Sequence, residues 1–209
     1  MKTLLINAHP NPSAEQSFSN RMLQHLASRL PAADTDQLTL YQADIPELNG
    51  ELMAMFEKLG NGDDLSTPEQ QQAQRLAEIM QQFKAARRVV ISLPMYNFNV
   101  PSRLKSYIDS IIVPNQTFRY TEQGPVGLMN DGRKLLILQA SGSVYSQGAL
   151  APMELSVPYL RIVFEDFLGF DSVAVIRAEG TQEAGVDPAR LFEQALAEID
   201  ARLPAFLAD

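Results

Sequence analysis

The chain has no cysteine and only two histidines, His9 and His25, among its 209 residues. No cysteine means no disulfide, no thiolate metal site and no cysteine nucleophile. Two histidines leave little for a histidine-based metal centre, so no metal is expected. Positive charge is also scarce. The 17 Lys and Arg residues stand against 25 Asp and Glu, a net charge of −8. That balance argues against a nucleic-acid-binding domain and against a polybasic membrane binder. It suits a protein that handles small molecules. No apolar run approaches the ~18–20 residues of a membrane span, so no insertion is expected. The start imitates a signal peptide only over Leu4, Leu5 and Ile6 before turning polar at Asn7. A cytoplasmic protein is the expectation. What is there is ordinary globular material, 45% hydrophobic and 20% charged, enough for one full core over residues 1–209.

Short apolar runs alternate with longer amphipathic stretches. Thr3–Ile6 reads as a buried strand, and Met22, Leu23, Leu26, Ala27 and Leu30 recur at helical spacing from Phe18 onward. Gln37–Tyr41 reads as a second strand. Residues 42–66 form a long connection of the kind that carries function or small helical pieces. Thr67-Pro68-Glu69-Gln70 reads as a helix start with Thr67 as cap and Gln70 completing a capping box, followed by a stripe of Leu76, Ala77, Met80 and Phe83. Arg88–Ser92 is a continuous apolar strand, as expected in a parallel sheet covered on both faces. Pro101 opens a helix carrying Leu104, Tyr107, Ile108, Ile111 and Ile112. Residues 114–132 read as a long loop or hairpin. Lys134–Gln139 is a fourth strand, a helix follows between Ala151 and Leu168, Ser172–Ile176 is a fifth strand, and Asp187-Pro188 caps a last helix. Strands alternating with helices predict an α/β fold, an open, doubly wound five-stranded parallel sheet with helices on both faces. In such sheets ligands bind beyond the carboxyl ends of the strands, at the switch in strand order.

The loops after strands one, three and four therefore matter most. The first, Asn7 to Asn20, has no glycine, which excludes both GxGxxG and the Walker A loop. It offers hydroxyls and amides before a helix, and a helix N-terminus favours an anion. Ser17 and Ser19 suit a phosphate, and Ser17 serves equally as a plain N-cap. The loop after strand three, Pro94 to Pro101, sets Tyr96, Asn97 and Phe98 between two rigid prolines. It suits a flat heteroaromatic ligand or, alternatively, a lid of aromatics over the core. The loop after strand four, Ala140-Ser141-Gly142-Ser143-Val144-Tyr145, is small enough for close backbone approach. Together the three describe a mononucleotide site, and FMN fits better than ATP because no Mg²⁺-binding motif is visible.

The whole chain resembles the FMN-dependent NADH:quinone oxidoreductases known as azoreductases, of flavodoxin-like fold. Four segments carry it in order: Ser17-Phe18-Ser19-Asn20; Pro94-Met95-Tyr96-Asn97-Phe98; Thr117-Phe118-Arg119-Tyr120-Thr121 with Gly124-Pro125; and Phe167-Leu168-Gly169-Phe170 with Ala178-Glu179-Gly180. The resemblance implies that His9, Ser17, Phe18 and Ser19 hold the FMN phosphate. It implies that Met95, Tyr96, Asn97 and Phe98 line the isoalloxazine, largely through backbone N–H groups, and that Ala140, Ser141, Gly142 and Ser143 touch the pyrimidine edge. This last loop departs from the commoner Ser-Arg-Gly-Gly pattern. Tyr120 and Phe167 correspond to aromatics bordering the substrate cavity.

The resemblance also implies ping-pong hydride transfer from NADH or NADPH through FMN to quinones and azo compounds, with the cofactor carrying the chemistry and no catalytic side chain. It implies a homodimer with a pocket shared between subunits. Residues 42–66 and 114–132 would contribute to the dimer contact, with Leu52, Met53, Met55 and Phe56 as exposed apolar candidates; the bland alternative is that these pack on their own domain. His9 reads as a hydrogen-bonding partner rather than a proton donor. His25, without ionic company nearby in sequence, reads as structural or solvent-facing, and Asp63-Asp64 as a solvated turn. Two rivals share the fold: a flavodoxin-type electron carrier and a redox-sensing ancillary subunit.

Overall fold

A computed structural model describes residues 1–208. Five parallel strands make one sheet in the order β2-β1-β3-β6-β7, formed by β1 (Lys2–Asn7), β2 (Thr35–Thr39), β3 (Ala86–Pro94), β6 (Lys134–Ala140) and β7 (Ser172–Ala178). This is the flavodoxin-like order, and it bears out the doubly wound expectation. Between β1 and β3 the winding reverses, and the loops after β1, β3 and β6 leave adjacent strands at the same edge. The strands are apolar on both faces because helices cover both. One core cluster packs Leu4, Ile6, Val89, Ile91, Leu135 and Ile137 against α3 (Thr67–Ala85), α4 (Ser102–Ile111) and α5 (Ser156–Arg161). The other packs Leu5, Val90, Leu136, Leu138 and Ile176 against α1 (Phe18–Ala27) and α6 (Pro188–Leu207).

The remaining elements adjust the sequence reading. The connection 42–66 holds α2 (Gly50–Asn61), capped by Asn49, whose side chain accepts from the Leu52 N–H. Two of its apolar residues, Leu52 and Met55, are buried against their own domain and so are not exposed candidates; Met53 and Phe56 do face outward. The cap of α3 is Ser66, one residue earlier than expected, and Glu69 rather than Gln70 completes the capping box. Of the expected stripe, Met80 and Phe83 are buried with Ile79, whereas Leu76 and Ala77 face a cavity of about 680 Å³ between α2, α3 and α4. The second strand starts at Thr35 because pairing runs from Thr3↔Thr35 to Asn7↔Thr39. Residues 118–127 form an antiparallel hairpin, β4 (Phe118–Thr121) with β5 (Gly124–Gly127). Helix α5 runs directly into a π turn, Ile162–Phe167. His25, expected to be structural or solvent-facing, bridges two helices: its Nε2 lies 3.0 Å from an Asp200 carboxylate oxygen on α6, beside Arg29.

Candidate functional site

The loop after β1 is tied closely around the N-terminus of α1. The side chain of Asn20 donates to the carbonyls of Asn11, Pro12 and Ala14 and accepts from the Asn7 side chain. These bonds fold the glycine-free loop around the start of α1. Ser17 caps the helix, its Oγ accepting the Asn20 N–H at 3.3 Å, and that Oγ lies 3.1 Å from the Oγ of Ser19. The amides of Phe18 and Ser19 have no backbone partner among the described residues, as first-turn amides do not. The Phe18 ring packs edge-on against Phe192 of α6, so what Phe18 offers the loop is its N–H. The adjacent β3 is locked to this helix: Ser92 Oγ donates to the Ser19 carbonyl at 2.7 Å. His9 sits at the rim. Its Nδ1 accepts the Asn11 N–H at 3.0 Å, so the proton of the neutral ring is on Nε2. Burial holds its pKa below the ordinary imidazole value.

The loop after β3 is strained in one place. Asn97 and Phe98 both adopt left-handed backbone, with φ of 47° and 69°. Two consecutive non-glycine residues there are uncommon and costly, and such outliers concentrate at ligand clamps. The turn is closed by reciprocal bonds between Tyr96 and Asn99, at 3.2 and 3.0 Å, and Met95 N–H donates to the Ala140 carbonyl at 2.8 Å. The amides of Met95 and Tyr96 are thus spent within the protein. Those of Asn97 and Phe98 have no partner among the described residues. Neighbouring residues in left-handed backbone turn successive N–H groups toward one side, a concave donor pair. The Phe98 carbonyl accepts the Leu155 N–H at 2.9 Å, and its ring meets Tyr145 edge-on, centroids 6.1 Å apart.

The loop after β6 is held by acids that the sequence reading did not single out. Ser141 N–H continues the sheet to the Ala178 carbonyl, and Ser141 Oγ donates to the Ser143 carbonyl at 2.8 Å. Glu183 accepts the Val144 N–H, and Glu179 accepts the amides of Tyr145 and Ser146, all at 3.0 Å. A Cβ on Gly142 would lie 2.9 Å from the Gln182 side-chain oxygen. Glu179 lay inside a segment already noted, Ala178-Glu179-Gly180, but only the fold brings it to Tyr145.

Three of the predicted clusters therefore meet at the carboxyl ends of β1, β3 and β6: His9 with Ser17–Ser19, Met95–Phe98, and Ala140–Ser143. Tyr120 and Phe167 lie elsewhere in the chain. Their rings flank Phe118, at 5.2 and 4.7 Å between centroids. No hydrogen bond or ring contact among the described residues joins either to residues 94–101 or 140–146. No group of His, Asp and Glu able to hold a metal occurs among the described residues.

Residues 1–203 match the family of flavodoxin-like fold. The chain is 40% identical to an FMN-dependent NADH:quinone oxidoreductase of Bacillus cereus, over 95% of each chain. It is 41% identical to one of Lactiplantibacillus plantarum, over 98% of each. Among solved structures, an FMN-dependent NADH-azoreductase from Bacillus anthracis in complex with FMN superposes with a TM-score of 0.93, at 38% identity and 99% coverage of both chains. The strand order β2-β1-β3-β6-β7 and the full-length similarity agree: this chain belongs to the flavodoxin-like-fold family of FMN-dependent NADH:quinone oxidoreductases.

Proposed function

We propose that this chain is an FMN-dependent NADH:quinone oxidoreductase that also reduces azo compounds, with NADH and the acceptor using one cavity in turn. The observation that carries the reading is the unpartnered amide pair at Asn97 and Phe98, set in strained backbone at the same sheet edge as the α1 anion cradle. A flat ring linked to a phosphate fits that combination, because it needs donors for a ring edge at one end and an anion cradle at the other. The phosphate would be held by Ser17 Oγ and Ser19 Oγ, the first-turn amides of α1 and the Nε2–H of His9, with no lysine required. Asn97 and Phe98 would donate to the ring edge, Met95 and Tyr96 would shape its bed, and Ala140–Ser143 would wall the pyrimidine side. When bound, FMN supplies the hydride-accepting and electron-donating chemistry. The protein's part is positioning and electrostatics: fixed N–H dipoles stabilise negative charge at no reorganisation cost. Tyr120 and Phe167 would border the acceptor's cavity.

The second part of the reading is a homodimer. Met53, Phe56 and Leu59 are exposed on α2, and Tyr120 is 74% exposed on the hairpin. Exposed aromatic and aliphatic side chains on two protruding elements are what a subunit interface would cover. Dimerisation would let the Tyr120–Phe118–Phe167 cluster serve the site of the other subunit. The reading also takes the protein as cytoplasmic; no described helix is long and apolar enough to cross a membrane. Steady-state NADH oxidation with a quinone tests the assignment: parallel double-reciprocal lines are expected, and no NADH-driven turnover would favour an electron carrier instead. Light scattering tests the dimer, with a mass near twice 23.2 kDa expected and a monomer contradicting it.

A further inference from the structure

A buried carboxylate that the chemistry does not use lies one residue from a site contact. Glu154 is only 7% exposed and sits just before α5, where its Oε1 accepts the N–H groups of Ser156 and Val157, each at 3.0 Å. The same oxygen accepts the Ser156 hydroxyl and, at 3.1 Å, the Gln139 side-chain amide. Gln139 is the penultimate residue of β6, and its own Oε1 accepts from Arg177 of β7 at 3.0 Å. Arg177 also reaches the other Glu154 oxygen at 3.8 Å. This network nails the start of α5 to the carboxyl ends of two strands. Between Glu154 and Ser156 lies Leu155, whose side chain is half exposed and does little to anchor it. Its N–H is what matters, because it donates to the Phe98 carbonyl at 2.9 Å.

We propose that Glu154 is a positioning residue for the flavin, acting through Leu155 to hold Phe98 in its left-handed conformation. Left-handed backbone at Phe98 is uphill for an L-residue and persists only where surroundings enforce it. The reciprocal Tyr96–Asn99 bonds close the turn around Phe98 and its ring meets Tyr145, while the carbonyl is the one hydrogen-bonded handle on Phe98 itself among the described residues. Glu154 orients the handle. The chain of contacts runs from β6 and β7 through the carboxylate to Leu155, then to Phe98 and its unpartnered N–H. This rests on the assignment of residues 95–98 to the flavin ring proposed above.

The test measures FMN affinity, the reduction potential of bound FMN, and amide exchange at Leu155 in the apoprotein. Glu154→Ala removes the acceptor from three amide or hydroxyl donors at the start of α5. FMN affinity is expected to fall at least tenfold, the potential to shift, and Leu155 protection to drop at least tenfold. Glu154→Gln keeps an acceptor oxygen in place and is expected to stay within about threefold of wild type, since positioning, not charge, is the role. If Glu154→Ala does not fold, Glu154→Asp, one methylene too short to reach all its donors, carries the same expectation. Lower thermal stability with affinity, potential and Leu155 protection unchanged would overturn the inference and leave Glu154 a purely structural acid. Wild-type protein that takes up no FMN would instead sink the flavin assignment and this inference with it, whereas normal uptake by every variant overturns the inference alone.

Discussion

Ser17 has two jobs in this account, and removing its hydroxyl separates them. As an N-cap its Oγ accepts the Asn20 N–H; as part of the cradle it would donate to a phosphate together with Ser19, 3.1 Å away. Ser17→Ala should cost the apoprotein about 1 kcal/mol, the usual loss for a capped helix. A hydrogen bond to a charged phosphate contributes more, about 1.5–3 kcal/mol. At ~1.4 kcal/mol per tenfold, FMN affinity should fall roughly 10- to 150-fold. Riboflavin, which has the same ring and no phosphate, provides the control. Its affinity should change by no more than about threefold, because the ring meets Asn97 and Phe98, not Ser17. Titration of the apoprotein with each flavin, followed by fluorescence quenching, reads both. Equal losses for FMN and riboflavin would mean that Ser17 acts only by holding the helix, and unchanged FMN affinity would remove the phosphate from this loop.

Three further outcomes follow from the geometry. A Cβ on Gly127 would lie 2.3 Å from both the carbonyl carbon and oxygen of Leu168, which are backbone and cannot step aside; Gly127→Ala should therefore cost about 1–3 kcal/mol and lower Tm by roughly 2–12 °C, and an unchanged Tm would refute the packing of the hairpin on the π turn. The Tyr107 hydroxyl is fully buried without a partner among the described residues, and burial raises its pKa; Tyr107→Phe should stabilise the protein by about 1 kcal/mol in chemical denaturation, whereas a loss of stability would mean that the hydroxyl is bonded. Glu69 is held down to a pKa of about 2 by the Lys58 ammonium and the hydroxyl and N–H of Ser66. A depressed carboxylate adds stability that is fully present above its unfolded pKa near 4.5 and is lost as pH falls toward 2; NMR titration should find the Glu69 midpoint well below 3, and a midpoint near 4.5 would contradict the α2–α3 contact.

The sheet was legible because its signal is local. Val89, Val90 and Ile91, and Leu135 to Leu138, are unbroken apolar runs, and a run buried on both faces reads the same whatever its neighbours. The loops at the carboxyl ends followed from the topology rule. Within them Ser17 and the Tyr96–Phe98 segment stood out by position, although a plain N-cap and a lid of aromatics over the core accounted for them equally well from sequence. What the sequence reading missed depends on partners far along the chain. Glu179 holds Tyr145 and Ser146 from 33 to 34 residues away, and His25 meets Asp200 across 175. Periodicity carries no information at such separations. Leu52 and Met55 misled for a related reason: helix α2 is amphipathic, and which of its apolar residues face inward depends on where α3 lies. Glu154 did leave a trace, as the one acid between Ser141 and Arg161 in an otherwise apolar and polar-neutral stretch. A lone charge there is either solvated or deliberately bonded, and only the fold decides which.

The central claim is that this chain holds FMN at the β1, β3 and β6 loops and passes electrons from NADH to quinones through it. An anaerobic absorbance spectrum of the FMN-loaded protein, before and after NADH and then a quinone, tests it most directly. The account predicts a flavin band that NADH bleaches and the quinone restores. A flavin band that NADH leaves unchanged, or a protein that takes up no FMN at all, would contradict it.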